Sequence, residues 1–178
     1  MTKTNGQFEK RPRDFYVTPE KALLPLLPHL PKGLSFCEPC AGNGELVNML
    51  EEHLEASCFL PLDIEPQVDW VVKGDAGVLN EEQLLFCEWI ITNPPFTWSV
   101  LAPLMKLRIS LRPTALLLPA DFMHNKRFAP FLNDCTDIIS IGRVKWIEES
   151  KATGVENYCW YIFNKNNKEA TKFYGRDY

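Results

Sequence analysis

From Leu34 onward the chain alternates short apolar runs, each closed by turn-forming residues, with longer stretches of helical periodicity. Strands followed by helices cannot close as tight hairpins. They run parallel, and the helices cross over both faces of one sheet. Seven strands are expected on this basis, at 34–37, 57–62, 70–73, 89–92, 114–118, 138–144 and 158–163, with helices at 45–54, 99–109 and 125–132. Only a polar loop, residues 148–156, separates the last two strands, so these two should pair antiparallel. Upstream, Thr18-Pro19 has the form of a helix start, a capping hydroxyl followed by proline at the first helical position. Pro25, Pro28 and Pro31 should keep that helix short or kinked.

A chain of 178 residues that is 46% hydrophobic supports one core. We expect an N-terminal arm at 1–18, one domain at 19–166 and a C-terminal tail at 167–178. No apolar run is long enough to span a bilayer and no leader pattern opens the sequence, so a soluble, cytoplasmic protein is expected, with no membrane partner. Six scattered cysteines suit reduced thiols. Cys37 and Cys40 have metal-like spacing, but no second pair exists and His29, His53 and His124 are far apart, so no metal site is expected. The net charge of −4 is unevenly spread. Residues 1–33 carry 6 basic and 3 acidic groups, 34–92 carry 1 and 12, and 93–178 carry 12 and 8.

The first strand runs into Glu38-Pro39-Cys40-Ala41-Gly42-Asn43-Gly44, where glycines permit a tight turn and a close approach of backbone to ligand. Val47 stands where a dinucleotide fingerprint would want a third glycine, and Glu38 and Glu45 are wrong company for phosphate. They suit a cation, and S-adenosylmethionine offers a sulfonium and an ammonium without phosphate. Asp63 follows Gly44 by 19 residues, at the end of the second strand, where it can accept from both hydroxyls of a ribose. Ile64 beside it can pack on an adenine face, and Asp75, after the third strand, can accept from the adenine amine. Glu45 equally suits a first-turn helix acid and Asp75 a turn former. Acids placed just after consecutive strands nevertheless fall where open sheets bind ligands.

The most specific signal is Asn93-Pro94-Pro95-Phe96, directly after the fourth strand. Two prolines hold the backbone extended and fix the direction of the Pro94 carbonyl and the Asn93 side chain. Here the sequence resembles the class I methyltransferases that modify exocyclic amines. The glycine loop, Asp63, Asp75, the tetrapeptide and Leu118-Pro119-Ala120-Asp121-Phe122 fall in that family's order. With Phe15-Tyr16-Val17-Thr18-Pro19 upstream, the order resembles the gamma arrangement of adenine-N6 DNA methyltransferases, small bacteriophage and prophage enzymes above all.

The resemblance implies a Rossmann-like α/β fold, a seven-stranded, mostly parallel sheet with an antiparallel last strand and helices on both faces. It implies S-adenosylmethionine as cofactor, held by Tyr16 and Thr18, by Glu38, Cys40, Gly42 and Gly44 of the loop, and by Asp63, Ile64, Asp75 and Asn93. Catalysis falls to Asn93, Pro94, Pro95 and Phe96. An aniline-like nitrogen is a poor nucleophile, and the Asn93 amide oxygen and Pro94 carbonyl would accept its hydrogens while Phe96 stacks on the ring. The base would swing out of a duplex to reach them. Trp146 is the expected second aromatic wall, with Trp98 and Phe122 as competitors, and Arg143 and Lys145 lie beside it on the substrate side. Lys10, Arg11, Arg13, Lys126, Arg127 and Lys151 are further candidate phosphate contacts.

DNA is the favoured acceptor over RNA, and glutamine in protein is the enzymatic runner-up. A catalytically silent binding subunit is the non-enzymatic reading, against which the intact tetrapeptide speaks. The chain departs from many DNA methyltransferases in leaving no room for a separate target-recognition domain after the last strand, so a homodimer or a separate specificity partner is expected to supply what it lacks.

Overall fold

The computed structural model describes residues 16–146, 154–166 and 169–176. Its centre is one eight-stranded sheet built from β1 (Ser35–Glu38), β2 (Ser57–Asp63), β3 (Val72–Lys73), β4 (Trp89–Thr92), β5 (Thr114–Pro119), β6 (Cys135–Arg143), β7 (Asn157–Phe163) and β8 (Lys172–Tyr174), in the order β3-β2-β1-β4-β5-β7-β6-β8. The pairs from β3 through β5 are parallel, and β7 lies antiparallel between β5 and β6. Strands β5 and β6, both antiparallel to β7, therefore run the same way. The carboxyl ends of β1, β4, β5 and β6 thus share one edge of the sheet. The strand order reverses between β1 and β4, and that switch point is where an open α/β sheet leaves a crevice.

The strand count is a correction: β8 is an eighth strand, formed within the stretch read as a tail and paired parallel to the outer edge of β6. The last strand is therefore parallel to its neighbour, and the antiparallel member is the seventh. The third strand is shorter than expected, two residues, because the chain turns at Trp70 and lays its ring where a Cβ on Gly44 would stand.

Helices α1 (Glu20–Leu23), α2 (Glu45–Leu54), α3 (Trp98–Leu111) and α4 (Ala129–Leu132) cover the faces. The expected helix at 125–132 shrinks to α4, preceded by a 3-10 turn at Ala120–His124, because the Asn125 side chain accepts from the Arg127 amide and ties that stretch into a local turn. Thr18 does not cap α1. Pro19 takes the cap position with no side-chain bond, and Thr18 is committed elsewhere.

One core cluster packs α1 and α2 on a sheet face around Phe36, Ile91, Leu117 and Trp160. A second packs α3 on the other face around Leu116, Leu118, Phe128 and Tyr161. The fully buried Trp160 donates its indole N–H to the Ala22 carbonyl at 2.7 Å, which pins α1 to β7. Among the described residues, no helix is long and apolar enough to cross a membrane.

Candidate active site

At the switch point the structure opens a cleft of about 790 Å³, within the usual range for a small-molecule site. It gathers loops from four strand ends and the segment before α1. The wall includes Tyr16 and Thr18, Glu38, Cys40 and Gly42 after β1, Asp63 and Ile64 after β2, Asp75 after β3, and Asn93 and Pro95 after β4. Among the described residues its wall carries four carboxylates, Glu38, Asp63, Glu65 and Asp75, and no lysine or arginine. Such a lining repels phosphate and attracts a cation.

Glu38 ends β1 and is 1% exposed. Neither carboxyl oxygen has a hydrogen bond of ordinary geometry. Burial pushes the group up to about 8, and the nearby Asp63 charge adds to the rise. The Thr92 hydroxyl and the backbone amides of Cys40 and Asn93 work against it. A buried carboxyl whose neighbouring donors make no bond of ordinary geometry is costly unless a ligand supplies a better partner. Asp63 is held from both sides: Oδ2 accepts from the Gly42 amide and Oδ1 from the Glu65 amide, both at 2.8 Å. Each oxygen keeps a further lone pair for a ligand. Asp75 turns the chain by accepting from the Gly77 amide at 2.7 Å, and it also lies on the cleft wall.

Two loop residues have other roles than expected. Gly44 is absent from the cleft wall; it adopts φ +79 at the cap of α2, beneath the Trp70 ring. Glu45 is exposed, begins α2 and faces no cleft, the behaviour of a first-turn acid. Cys40 reaches the wall, and burial beside Glu38 raises its thiol, which keeps it protonated.

The Asn93 amide is fixed from far away in sequence. Its Nδ2 donates to the Thr18 hydroxyl at 3.2 Å and to the Tyr16 carbonyl at 3.4 Å. Pro94 is buried behind Asn93, and Phe96 is half-buried off the cleft wall. Phe96 belongs to a row of rings along the carboxyl edge. Phe122 and Phe96 lie 6.3 Å apart between centroids, Phe96 and Tyr158 5.8 Å, Tyr158 and Trp146 5.0 Å, and Trp146 and Tyr16 6.0 Å. The Trp146 indole nitrogen is buried with no hydrogen bond of ordinary geometry, beside the Tyr158 hydroxyl. Trp98 turns away from this row to pack on Phe131. Arg143 and Lys145 are exposed at the same edge, just before Trp146, and Lys126 and Arg127 are exposed after β5. Lys10, Arg11, Arg13 and Lys151 lie outside the described residues.

Sequence reading missed Tyr158 and the far wall of the cleft, Thr97, Ser99, Val100 and Pro103. Pro103 was a usable signal, since a proline four residues after Ser99 removes the helical bond to the Ser99 carbonyl. Tyr158 gave none, because a tyrosine in an apolar run reads as strand core until the sheet pairs it opposite Pro119 and Gly142.

No family model matches the chain, and no curated protein sequence matches it. Solved structures do. The methyltransferase subunit of a type I restriction-modification system from Streptococcus thermophilus superposes with TM-score 0.59 at 10% identity over 85% of this chain and 45% of its own. A candidate RNA methyltransferase from Pyrococcus horikoshii gives TM-score 0.60 at 17% identity, over 88% of this chain and 90% of its own. A candidate class I S-adenosylmethionine-dependent methyltransferase from Listeria monocytogenes gives 0.53 at 14%, over 86% and 59%. The chain thus spans less than half of the Streptococcus subunit. Its fold is the Rossmann-like fold of class I methyltransferases.

Proposed function

We propose that this protein is an S-adenosylmethionine-dependent methyltransferase acting on the exocyclic N6 amine of adenine in nucleic acid, with DNA favoured over RNA. It would belong with the small bacteriophage and prophage adenine-specific enzymes and work in the cytoplasm. The observation that carries this is the Asn93 amide. With Nδ2 given to Tyr16 and Thr18, Oδ1 is the end left to accept from a substrate on the cleft wall.

The cleft residues fit the cofactor. The buried Glu38 carboxyl, with no hydrogen bond of ordinary geometry, and the absence of any basic side chain on the described wall suit a ligand that is cationic and free of phosphate. Asp63, pre-oriented by two backbone amides, would take the ribose, and Ile64 and Asp75 the adenine. When bound, the cofactor supplies a methyl group on a positively charged sulfur. The residues of the chain then act on the acceptor. An exocyclic amine spreads its lone pair into the ring, and Asn93 Oδ1 together with the Pro94 carbonyl would draw its two hydrogens out of plane and return the pair to nitrogen. Phe96 would stack on the extruded base, with Trp146 further along the same row of rings beyond Tyr158 and Arg143 and Lys145 on its phosphates.

RNA is the second reading, favoured by the 90% coverage of the Pyrococcus horikoshii protein against 45% of the Streptococcus subunit. The deciding experiment offers labelled S-adenosylmethionine with unmethylated DNA, RNA and protein pools, followed by nucleoside and amino-acid analysis. N6-methyladenine in DNA is expected. Label only in RNA selects the second reading, label on glutamine selects a protein substrate, and cofactor binding without transfer to any pool selects a silent binding subunit. Binding of NAD or a nucleotide in place of S-adenosylmethionine overturns the proposal altogether.

A further inference from the structure

A primary amide is nearly symmetric in shape, and rotation about its last torsion is soft, so sterics alone do not tell its oxygen from its nitrogen. Electrostatics at Asn93 does. The Tyr16 carbonyl, 77 residues away in sequence, can only accept, so the end facing it must be the NH2 group. Thr18 Oγ1 takes the same nitrogen at 3.2 Å. With both partners on one side, the planar amide carries Oδ1 to the other. The opposite orientation would set oxygen against oxygen at Tyr16 and offer N–H to the hydrogens of an acceptor amine.

We propose that Thr18 is the positioning residue of this site, its hydroxyl anchoring the Asn93 amide in place while the Tyr16 carbonyl decides which end of that amide meets the substrate. The inference rests on the reading of Asn93 given above, and it gives Thr18, expected from the resemblance to hold the cofactor, the role of anchoring that amide instead. Three observations support it. Thr18 is 5% exposed, so its side chain is largely shielded from bulk water. It makes no cap for α1, the ordinary use of a threonine before proline. Its backbone is also held: Pro19 restricts the residue before it, and the bond from Trp160 to the Ala22 carbonyl ties the following turn to β7. Thr18 and Asn93 share the cleft wall, so the anchor stands beside the group it orients.

The test uses Thr18→Val, which keeps the shape and removes the hydroxyl, and Thr18→Ser, which keeps the hydroxyl. For methyl transfer, Thr18→Val should lower kcat about tenfold, the order of one hydrogen bond, with cofactor KM changed less than about twofold, and Thr18→Ser should restore kcat. The side-chain amide protons of Asn93, assigned by their loss in Asn93→Asp, should exchange with solvent slowly in the native protein and in Thr18→Ser but fast in Thr18→Val. Weaker cofactor binding with unchanged kcat in Thr18→Val, or no change in either, overturns the proposal. If the native protein methylates no pool, the reading of the site fails separately. The amide signals then decide the anchor alone, and exchange in Thr18→Val as slow as in the native protein would overturn it.

Discussion

Asn93 and Glu38 divide the labour of the cleft, and each predicts a different kind of defect. If Asn93 faces the acceptor as proposed, Asn93→Ala should leave S-adenosylmethionine affinity near native while raising the barrier to transfer by about 2.7 to 4 kcal/mol, the usual effect of deleting one fixed polar group at a reacting centre. Calorimetry and single-turnover transfer separate the two quantities, and native turnover in this variant would remove Asn93 from the mechanism. In the proposed reading Glu38 faces the cation. Its carboxyl, pushed up to about 8, is mostly protonated at neutral pH, whereas a bound cation favours the ionised form. Binding should therefore expel a proton below pH 8, so that affinity rises between pH 6 and 8 and levels above. The ligand's own amine titrates in the same range, so Glu38→Gln supplies the baseline, and a pH profile identical to the native one would exclude this role. The ligand-free protein should show the opposite trend in stability. The unfolded chain releases this proton near 4.5 and the folded one only near 8, so the contribution of Glu38 is present at low pH and lost as pH rises between those values.

Loop and strand act together at Gly44, where α2 begins. Its φ of +79 is costly for any residue with a Cβ, about 1 to 2 kcal/mol, and the Trp70 ring occupies the place that Cβ would take. Gly33, at φ +69 with open space around it, bears the conformational cost alone. Gly44→Ala should therefore melt lower than Gly33→Ala, the excess measuring the displacement of Trp70, at about 2 to 4 °C per kcal/mol for a chain of this size. Equal melting temperatures would mean that Trp70 yields freely. The same element shows what the sequence could reveal. Apolar runs ending in turn residues placed β1, β2 and β4 within a residue or two, and so placed Glu38, Asp63 and Asn93 together at one edge. What failed was non-local. The hydroxyl of Thr18 before a proline looks the same whether it caps a helix or holds an amide 75 residues away. Three residues of β8 carry no pattern until β6 offers them an edge.

Over the whole molecule, the sheet order turns an uneven charge sequence into two halves. Residues 34–92, with 12 acidic and 1 basic group, build β1 to β4 on one side, and residues 93–178, with 12 basic and 8 acidic, build β5 to β8 on the other. The cleft lies at the β1–β4 switch point, inside the acidic half, with Arg143, Lys145, Lys126 and Arg127 exposed on the basic side. An acidic half repels a phosphate backbone, so a nucleic acid should approach over the ends of β5 and β6 and meet the row of aromatic rings there. Contacts of this kind release counterions but read no sequence, since discrimination needs side chains on base edges. Affinity for DNA should therefore fall steeply with salt, with a log–log slope of about −0.9 for each phosphate neutralised, and the slope should shrink by about one unit for each of Arg143→Ala and Lys145→Ala. Both variants should lose affinity to about the same degree on unrelated sequences. Fluorescence titrations from 50 to 300 mM salt on two unrelated duplexes measure this. A salt-independent affinity, or loss confined to one duplex, would mean that these residues read bases and that the chain carries its own sequence specificity.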